Sequence, residues 1–407
     1  MVDNSARLGK RSTLRRRVFV HNPQHLLPLL QFDASQDGEK GHVVKFRCER
    51  EILADALTTA GRAATSRSGT LPVLSGLRLD VGDGQLTVTG TDLELTIRLS
   101  VPVHSDKTGS AVVPARLVAD IVRSLPAGAV EVAIDDDDMS ISAGRSQFSV
   151  RPLSLSDYPA QVEPTAEPVT LESAQVADAL RQVVRAASTD DARPVLTGVL
   201  IASEETGLKM VATDSYRLAV RDLPQSSILA AGQKVLVPGR ALAELQRVLS
   251  ADAELSVRLG AREAVFEAGG TRLTTRLIEG EYPNYRNLLP SSYPNQLTVG
   301  REALIEALRR VKILAQDSTP VRLGLGGDTL QLTAITQDVG NAHEEIDASY
   351  SGTEMTVAFN PDYLAAGVDA VEGDEVTLST LDPMKPAVLR GVGHDDYLYL
   401  LMPVRVP

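Results

Sequence analysis

Four consecutive aspartates, Asp135-Asp136-Asp137-Asp138, form the densest group of metal-capable oxygens in the chain, and Asp92 and Asp214 each follow a threonine elsewhere. Clustered carboxylates suit a hard divalent cation that polarises a substrate or activates water. A metal-dependent enzyme is therefore one reading of these residues; a solvated acidic loop is the simpler one. His104, His343 and His394 fall in expected turns or strands without an evident acid or nucleophile partner for proton transfer. The single cysteine, Cys48, cannot form an internal disulfide and fits a reducing compartment, the cytoplasm. Phosphate loop, dinucleotide fingerprint, zinc-protease helix and nucleophile elbow are all missing. No catalytic residue, metal or cofactor is expected, and the residues support binding rather than chemistry.

Composition narrows the class further. The chain has 407 residues, 43% apolar and 23% charged, in the range of a soluble globular protein with more than one domain. Its apolar runs fall far short of the roughly 20 residues a membrane span needs. A secretory h-region is missing too, so no membrane partner is expected. The net charge of −12 opposes nucleic-acid binding if it is spread evenly. An average says little, however, if one surface is basic and the rest acidic.

The elements that must position these residues recur three times, at a spacing of roughly 120 residues. Each copy opens with an amphipathic helix, expected over 49–64, 173–188 and 301–316. A proline-marked turn follows: Leu71-Pro72-Val73-Leu74, Arg193-Pro194-Val195-Leu196 and Thr319-Pro320-Val321-Arg322. A β-rich stretch then reaches an aspartate turn at Asp92, Asp214 and Asp338. Proline opens a second helix at Pro114, Pro238 and Pro361, where its missing N–H is harmless in a first turn. Alternating strands close each copy, as in Glu131-Val132-Ala133-Ile134. The fold class is α+β, with two helices packed on antiparallel sheet in each of three tandem domains, 44–162, 168–290 and 296–407. The proline-rich stretches 158–168 and 283–294 read as linkers.

The helices resolve the charge conflict. At about 100° per residue, Val176, Leu180, Val183, Val184 and Ala187 share one stripe, with Arg181 and Arg185 away from it. Leu304, Leu308 and Val311 form the stripe of the third-copy helix, with Arg309, Arg310 and Lys312 outside it. Arg116, Arg123, Arg240 and Arg247 add cations to the second helices. A single exposed arginine is usually just solvated; recurrence on equivalent helices suggests one shared basic surface. Ile313, about 180° from Leu304, should face away from its own core.

Several strings in this order resemble the bacterial DNA polymerase III beta subunits, the sliding clamps. They are Val44-Lys45-Phe46, Thr70-Leu71-Pro72-Val73-Leu74, Gly90-Thr91-Asp92-Leu93-Glu94, Ala212-Thr213-Asp214-Ser215-Tyr216-Arg217-Leu218, Glu281-Tyr282-Pro283-Asn284-Tyr285, Tyr350-Ser351-Gly352-Thr353-Glu354-Met355 and Met402-Pro403-Val404-Arg405. The resemblance implies three clamp domains per chain and a head-to-tail homodimer forming a six-domain ring around double-stranded DNA. It implies a non-catalytic processivity factor that tethers the polymerase III catalytic subunit, clamp-loader subunits and other motif-bearing proteins. The implied peptide groove comprises Leu196, Thr213, Ser215, Tyr216, Arg217, Leu218, Pro283, Leu288, Asn360, Tyr363, Met384, Pro386, Leu400, Leu401, Met402, Pro403, Val404 and Arg405. Ser215-Tyr216 departs from the Gly-His of some members, and Asn287 stands where others have arginine. The implied dimer contact pairs Ile313 and Leu314 with Phe148 and Val150. Arg67 and Arg193 match basic DNA-facing positions, Arg67 one residue off register.

Residues 1–43 precede the family's first strand and are expected to be a disordered extension, with seven Lys/Arg against four Asp/Glu and a short Leu26-Leu27-Pro28-Leu29-Leu30 cluster. Val44 stands where the family has its initiating methionine, and valine's GTG codon also starts bacterial messages. Gly38-Glu39-Lys40-Gly41 can be encoded by a purine-rich stretch resembling a ribosome-binding site. A basic arm that touches DNA is the alternative. The mature chain is expected to start near Val44; N-terminal mass spectrometry of the native protein reads this directly, and a chain starting at Met1 rejects it.

Overall fold

The computed structural model describes residues 44–64, 71–160, 165–250, 253–289, 292–315 and 319–405. The 1–43 segment and Arg67 lie outside the described residues. Each repeat begins with a strand running straight into a helix: Val44–Glu49 into α1 (Arg50–Gly61), Val169–Glu172 into α3 (Ser173–Val183), and Asn295–Gly300 into α5 (Arg301–Lys312). Alternation in the first strand sends Val44, Phe46 and Cys48 inward. The next residues change period, so that Leu53, Ala56, Leu57 and Ala60 make one buried helical stripe. The strand-to-helix bend leaves helix N–H groups without an intrahelical partner. A neighbouring turn receives the first of them: Arg50 N donates to Gly128 O at 2.9 Å, and Arg301 N to Asp374 O at 2.8 Å.

These helices end earlier than their apolar periodicity predicts. In the second repeat the cause is visible: α3 tightens into a 3₁₀ turn over Val184–Ala186, and the chain then leaves in extended conformation at Ala187. The second helices are α2 (Ala115–Ser124), α4 (Gly239–Val248) and α6 (Pro361–Ala370). Only Pro361 occupies a first turn, as expected from the sequence. Pro114 and Pro238 instead finish strands and sit one residue before their helices, at φ −61° and −52° with extended ψ. Proline's fixed φ suits that position equally well.

The proline-rich stretches are not simple spacers. Tyr158 is buried against Val73, Val112 and Leu153, and its hydroxyl donates to Thr89 O at 2.9 Å. Tyr285 opens a 3₁₀ turn, Tyr285–Leu288, and is buried beside Leu218 and Leu400. In both, an aromatic ring fastens the connection to the sheet beneath it.

Sheets cross the boundaries between repeats. Strand Thr271–Arg276 of the second repeat pairs antiparallel with Leu95–Pro102 of the first, from Thr271 opposite Leu99 to Thr275 opposite Leu95. Strand His394–Leu401 of the third repeat pairs with Arg217–Pro224 of the second, from Leu401 opposite Arg217 to Tyr397 opposite Arg221. The third member of each set is left over. Among the described residues, Ser146–Val150 ends its five-stranded sheet. Residues 340–347 of strand Gly340–Ser351 pair on one side only.

Polar contacts lock each crossing on the helical side. Between the second and third repeats, the C-terminus of α6 has no basic residue in its own last turn. Cations from elsewhere supply it: Arg185 donates to Ala366 O at 3.1 Å and to Asp369 Oδ2 at 2.8 Å. Arg181 and Arg301 each reach Asp369 O at 3.4 Å. Guanidinium groups at a helix C-terminus satisfy its orphan carbonyls and its dipole together. Gln182, fully buried, donates to Ala370 O at 3.0 Å. Between the first and second repeats, Arg62 pairs with Glu244 at 2.6 Å, and Arg240 pairs with Asp92.

Replacing Gln182 with Leu removes the nearer of two donors to Ala370 O, leaving Arg181 at 3.5 Å, at about 0.5–1.5 kcal/mol. The denaturant midpoint should fall with no change in the slope of the unfolding transition. A wild-type midpoint would show that this contact does not hold the crossing.

Candidate functional site

The second crossing also builds a site at the N-terminal end of α6. Strand Gly207–Thr213 turns into Arg217–Pro224 through Asp214, Ser215 and Tyr216. One carboxylate shapes that turn: Asp214 Oδ1 accepts from Tyr216 N at 2.9 Å and Arg217 N at 3.0 Å. Thr213 Oγ1 accepts from Ser215 N at 3.1 Å and donates to Arg217 O at 2.7 Å. Ser215 is held at φ 81°, a left-handed conformation uncommon outside glycine and asparagine. Arg193 donates to its hydroxyl at 3.1 Å. The same turn recurs at the first crossing, where Leu93 has φ 77° and Asp92 Oδ1 accepts from Glu94 N at 3.0 Å and Leu95 N at 2.8 Å.

The turn throws Tyr216 outward, 59% exposed. Its ring stacks on Tyr363 of α6 with centroids 6.5 Å apart and planes 28° from parallel. Arg217 lies 4.4 Å from the Tyr363 centroid, fixed by a 2.9 Å bond from its Nε to Asp214 Oδ2. Asn360 sets α6 in place by capping it, its Oδ1 accepting from Asp362 N and Tyr363 N at 2.9 and 3.1 Å. Tyr399 donates its hydroxyl to Tyr363 O at 3.1 Å; burial pushes that hydroxyl's pKa up to about 12, with Arg217 pulling the other way. The end of the chain closes the wall. Met402 N donates to Tyr216 O at 2.9 Å and Val404 N to Ala358 O at 2.8 Å, placing Met402 and Pro403 beside the aromatic pair. Arg276 N donates likewise to Glu94 O at 3.0 Å at the first crossing.

The residues implied for the groove separate into layers. Tyr216, Arg217, Asn360, Tyr363 and Met402 are joined by the contacts just given. Leu196, Leu218 and Leu400 are buried, the last two in an apolar cluster with Tyr285 and Val388. Leu401 points the other way, into the main core. Thr213 is buried with its hydroxyl engaged, so it shapes the turn rather than facing a ligand. Pro283, Leu288, Met384 and Arg405 are exposed, while Pro386, Pro403 and Val404 are partly so. The aspartate turn expected at Asp214 is there, its carboxylate holding two backbone N–H groups, but sequence reasoning did not count Asp214 among the residues that shape the groove. It also missed Tyr399, whose periodicity shows only a strand.

The cations expected on one basic surface do not share one setting. Arg181, Arg185 and Arg240 are engaged at the crossings, bonded to α6 or to Asp92. Arg193 belongs to the groove turn. Arg116, Arg123, Arg247 and Arg309 are more than half exposed and, among the described residues, pair only within their own helices, to Asp120, Glu244 or Glu306. Arg310 pairs with Glu344 at 2.9 Å, and Lys312 with Asp362.

Ile313 follows α5 as its cap and is 71% exposed, facing away from its core as its position predicts. Leu314 is partly exposed, and Thr336 donates to its carbonyl. Exposed Ile335 and Val339 lie on the hairpin leading into Gly340–Ser351, and sequence reasoning did not flag them. Phe148 is exposed on the leftover strand. Val150 is not: although alternation gives it the same face as Phe148, it lies opposite buried Met139 and is covered by its own domain core.

The acidic hairpin is a capped turn, in which Asp135 Oδ1 accepts from Asp137 N at 3.0 Å and Asp138 N at 2.8 Å. No cluster of three or more His, Cys, Asp or Glu suited to a metal occurs among the described residues. Two spacings compatible with ligation, His21 with His25 and Glu39 with His42, lie outside the described residues. No described helix is long and apolar enough to cross a membrane.

Comparison with known proteins gives three successive matches. Residues 44–162 match the DNA polymerase III beta subunit, N-terminal domain; 170–284 match its central domain and 286–405 its C-terminal domain. The beta sliding clamp of Streptomyces coelicolor is 35% identical over 377 residues, 89% of this chain and 100% of that protein. The clamp of Staphylococcus aureus is 30% identical over the same shares. Among solved structures, the Bacillus subtilis sliding clamp superposes with TM-score 0.81 at 26% identity, covering 89% of this chain and 100% of that one. The Pseudomonas aeruginosa sliding clamp bound to griselimycin gives 0.79 at 29% identity over the same shares. Three family domains in order and a relative of this identity leave one assignment: the chain belongs to the DNA polymerase III beta subunit family, the sliding clamps.

Proposed function

We propose that the protein is a homodimeric processivity ring that encircles double-stranded DNA in the cytoplasm, with no catalytic site of its own. The observation that carries this is the leftover pair of strand edges. Two crossings inside the chain join a closing strand of one repeat to the aspartate-turn strand of the repeat before it. The same join is open between Ser146–Val150 of one copy and residues 340–347 of another. Exposed edges of this kind invite pairing, and a head-to-tail contact that repeats must either close or run on as a filament. Closure between two chains satisfies both edges at once. Exposed Phe148 and Ile313 sit at the two sides of that join.

A ring needs no tight grip on DNA. It holds by topology, so a few sequence-independent phosphate contacts suffice and sliding stays easy. Arg116, Arg123 and Arg309, exposed on the helices, are the proposed lumen cations. The acidic remainder of the surface discourages DNA outside the hole. The three proposed domains are 44–162, 168–290 and 296–407. Tyr216, Tyr363, Met402 and Pro403 wall the proposed groove for short apolar-anchored segments of the polymerase III catalytic subunit, clamp-loader subunits and other clients. Concave apolar sites with a few polar groups at the rim are the usual form of such pockets. A metal-dependent enzyme finds less support: Asp92 and Asp214 serve turns and arginines.

Ile313→Ala with Leu314→Ala removes two interface anchors, worth about 2–5 kcal/mol each when fully buried. The double variant should sediment as a folded monomer; a dimer mass equal to wild type rejects this contact. Reversing Arg116, Arg123 and Arg309 to Glu should keep the dimer and shorten retention on nicked circular DNA. Linearising the DNA should release the wild-type protein quickly. Equal dissociation from both forms would refute encirclement.

A further inference from the structure

Tyr216 gives the groove's rim a large surface that nothing among the described residues covers. Tyr216 leaves 59% of its surface open, while Tyr363 beneath it already carries a guanidinium at 4.4 Å. The two rings are within 28° of parallel, so Tyr216 extends a stack of flat groups that includes Arg217. Its position is also fixed. Asp214 holds its backbone N–H, Met402 holds its carbonyl, and Ser215 is locked in a left-handed turn before it. A ring pre-set in this way loses little freedom when a ligand settles on it.

We propose that Tyr216 selects client segments that carry an arginine beside their apolar anchors, the guanidinium lying on the open face of the ring. The proposal rests on the groove reading above and names the chemistry that reading leaves open. Three observations favour arginine. The stack already accepts one guanidinium, so the geometry tolerates the group. Residues 44–407 hold 34 Lys and Arg against 49 Asp and Glu, a body that attracts cations and repels acidic clients. The two arginines of the turn itself are occupied, Arg217 by Asp214 and Arg193 by Asp190. They are therefore poor partners for a carboxylate on the ligand. Arginine fits better than lysine because its planar, weakly hydrated head stacks on a ring.

The test is fluorescence polarisation on the full chain at physiological salt. The probe is a labelled peptide with three leucine anchors, carrying arginine or its neutral isostere citrulline at each flanking position in turn. At one flank the wild type should prefer arginine by about two- to fivefold, the range of an exposed cation–π contact. Tyr216→Phe keeps the ring and should keep the preference. Tyr216→Leu removes the ring and should bring the ratio close to unity, whatever it does to the affinity of both peptides together. A preference that survives in Tyr216→Leu overturns the proposal, because it then comes from the overall charge. Equal binding of both peptides to the wild type overturns it too. Failure of every leucine peptide to bind rejects the groove reading and this proposal together.

Discussion

Everything in this chain depends on backbone hydrogen bonds that ignore the boundaries between its repeats. Five residues of one repeat pair with five of the next, twice, and the two sheets so formed join the first repeat to the second and the second to the third. A strand edge is an unsatisfied row of donors and acceptors. Burying two such edges against each other fixes angle and register at the same moment, since a slip of one residue would exchange the buried face for the solvated one. The helices, the groove and the leftover edges take their places from that constraint.

The arginines show how far a charge pattern can be trusted. Their recurrence suggests a single basic surface, yet several serve as mortar between repeats. Arg181 and Arg185 of the second repeat end on one helix C-terminus of the third, where orphan carbonyls concentrate negative potential. At the equivalent place in the first crossing an ion pair, Arg62 with Glu244, does the same job. In the third repeat that position is Ile313, bare and apolar. Charge holds the crossings within the chain, whereas an aliphatic side chain marks the one left open.

Repeats, fold class and the family were legible in the sequence because they rest on periodicity and on strings of residues. Helix faces were legible too: Leu304, Leu308 and Val311 are buried where a 3.6-residue period puts them. Depth along a strand was not. Val150 and Leu401 each sit one residue from an outward-facing or groove-lining neighbour, and which of two faces is covered depends on sheets formed by residues far away. Pro114 and Pro238 misled for a related reason, since one fixed φ serves both a strand end and a first helical turn. Resemblance implies both members of the aromatic pair at the groove, but their stacking joins two repeats and has no local signature.

The turn at Leu93 copies the turn at Ser215 almost bond for bond, with left-handed angles of 77° and 81° and the same backbone contact to the adjoining strand at 3.0 and 2.9 Å. Duplication has thus preserved a socket in the main chain twice and furnished it once. The first copy carries Leu93 and Glu94 where the second has Ser215 and Tyr216. Since the scaffold is already cast, the number of docking positions per chain is a matter of a few side chains rather than of a new fold. Evolution or an engineer could double the valency of such a molecule by surface substitution alone.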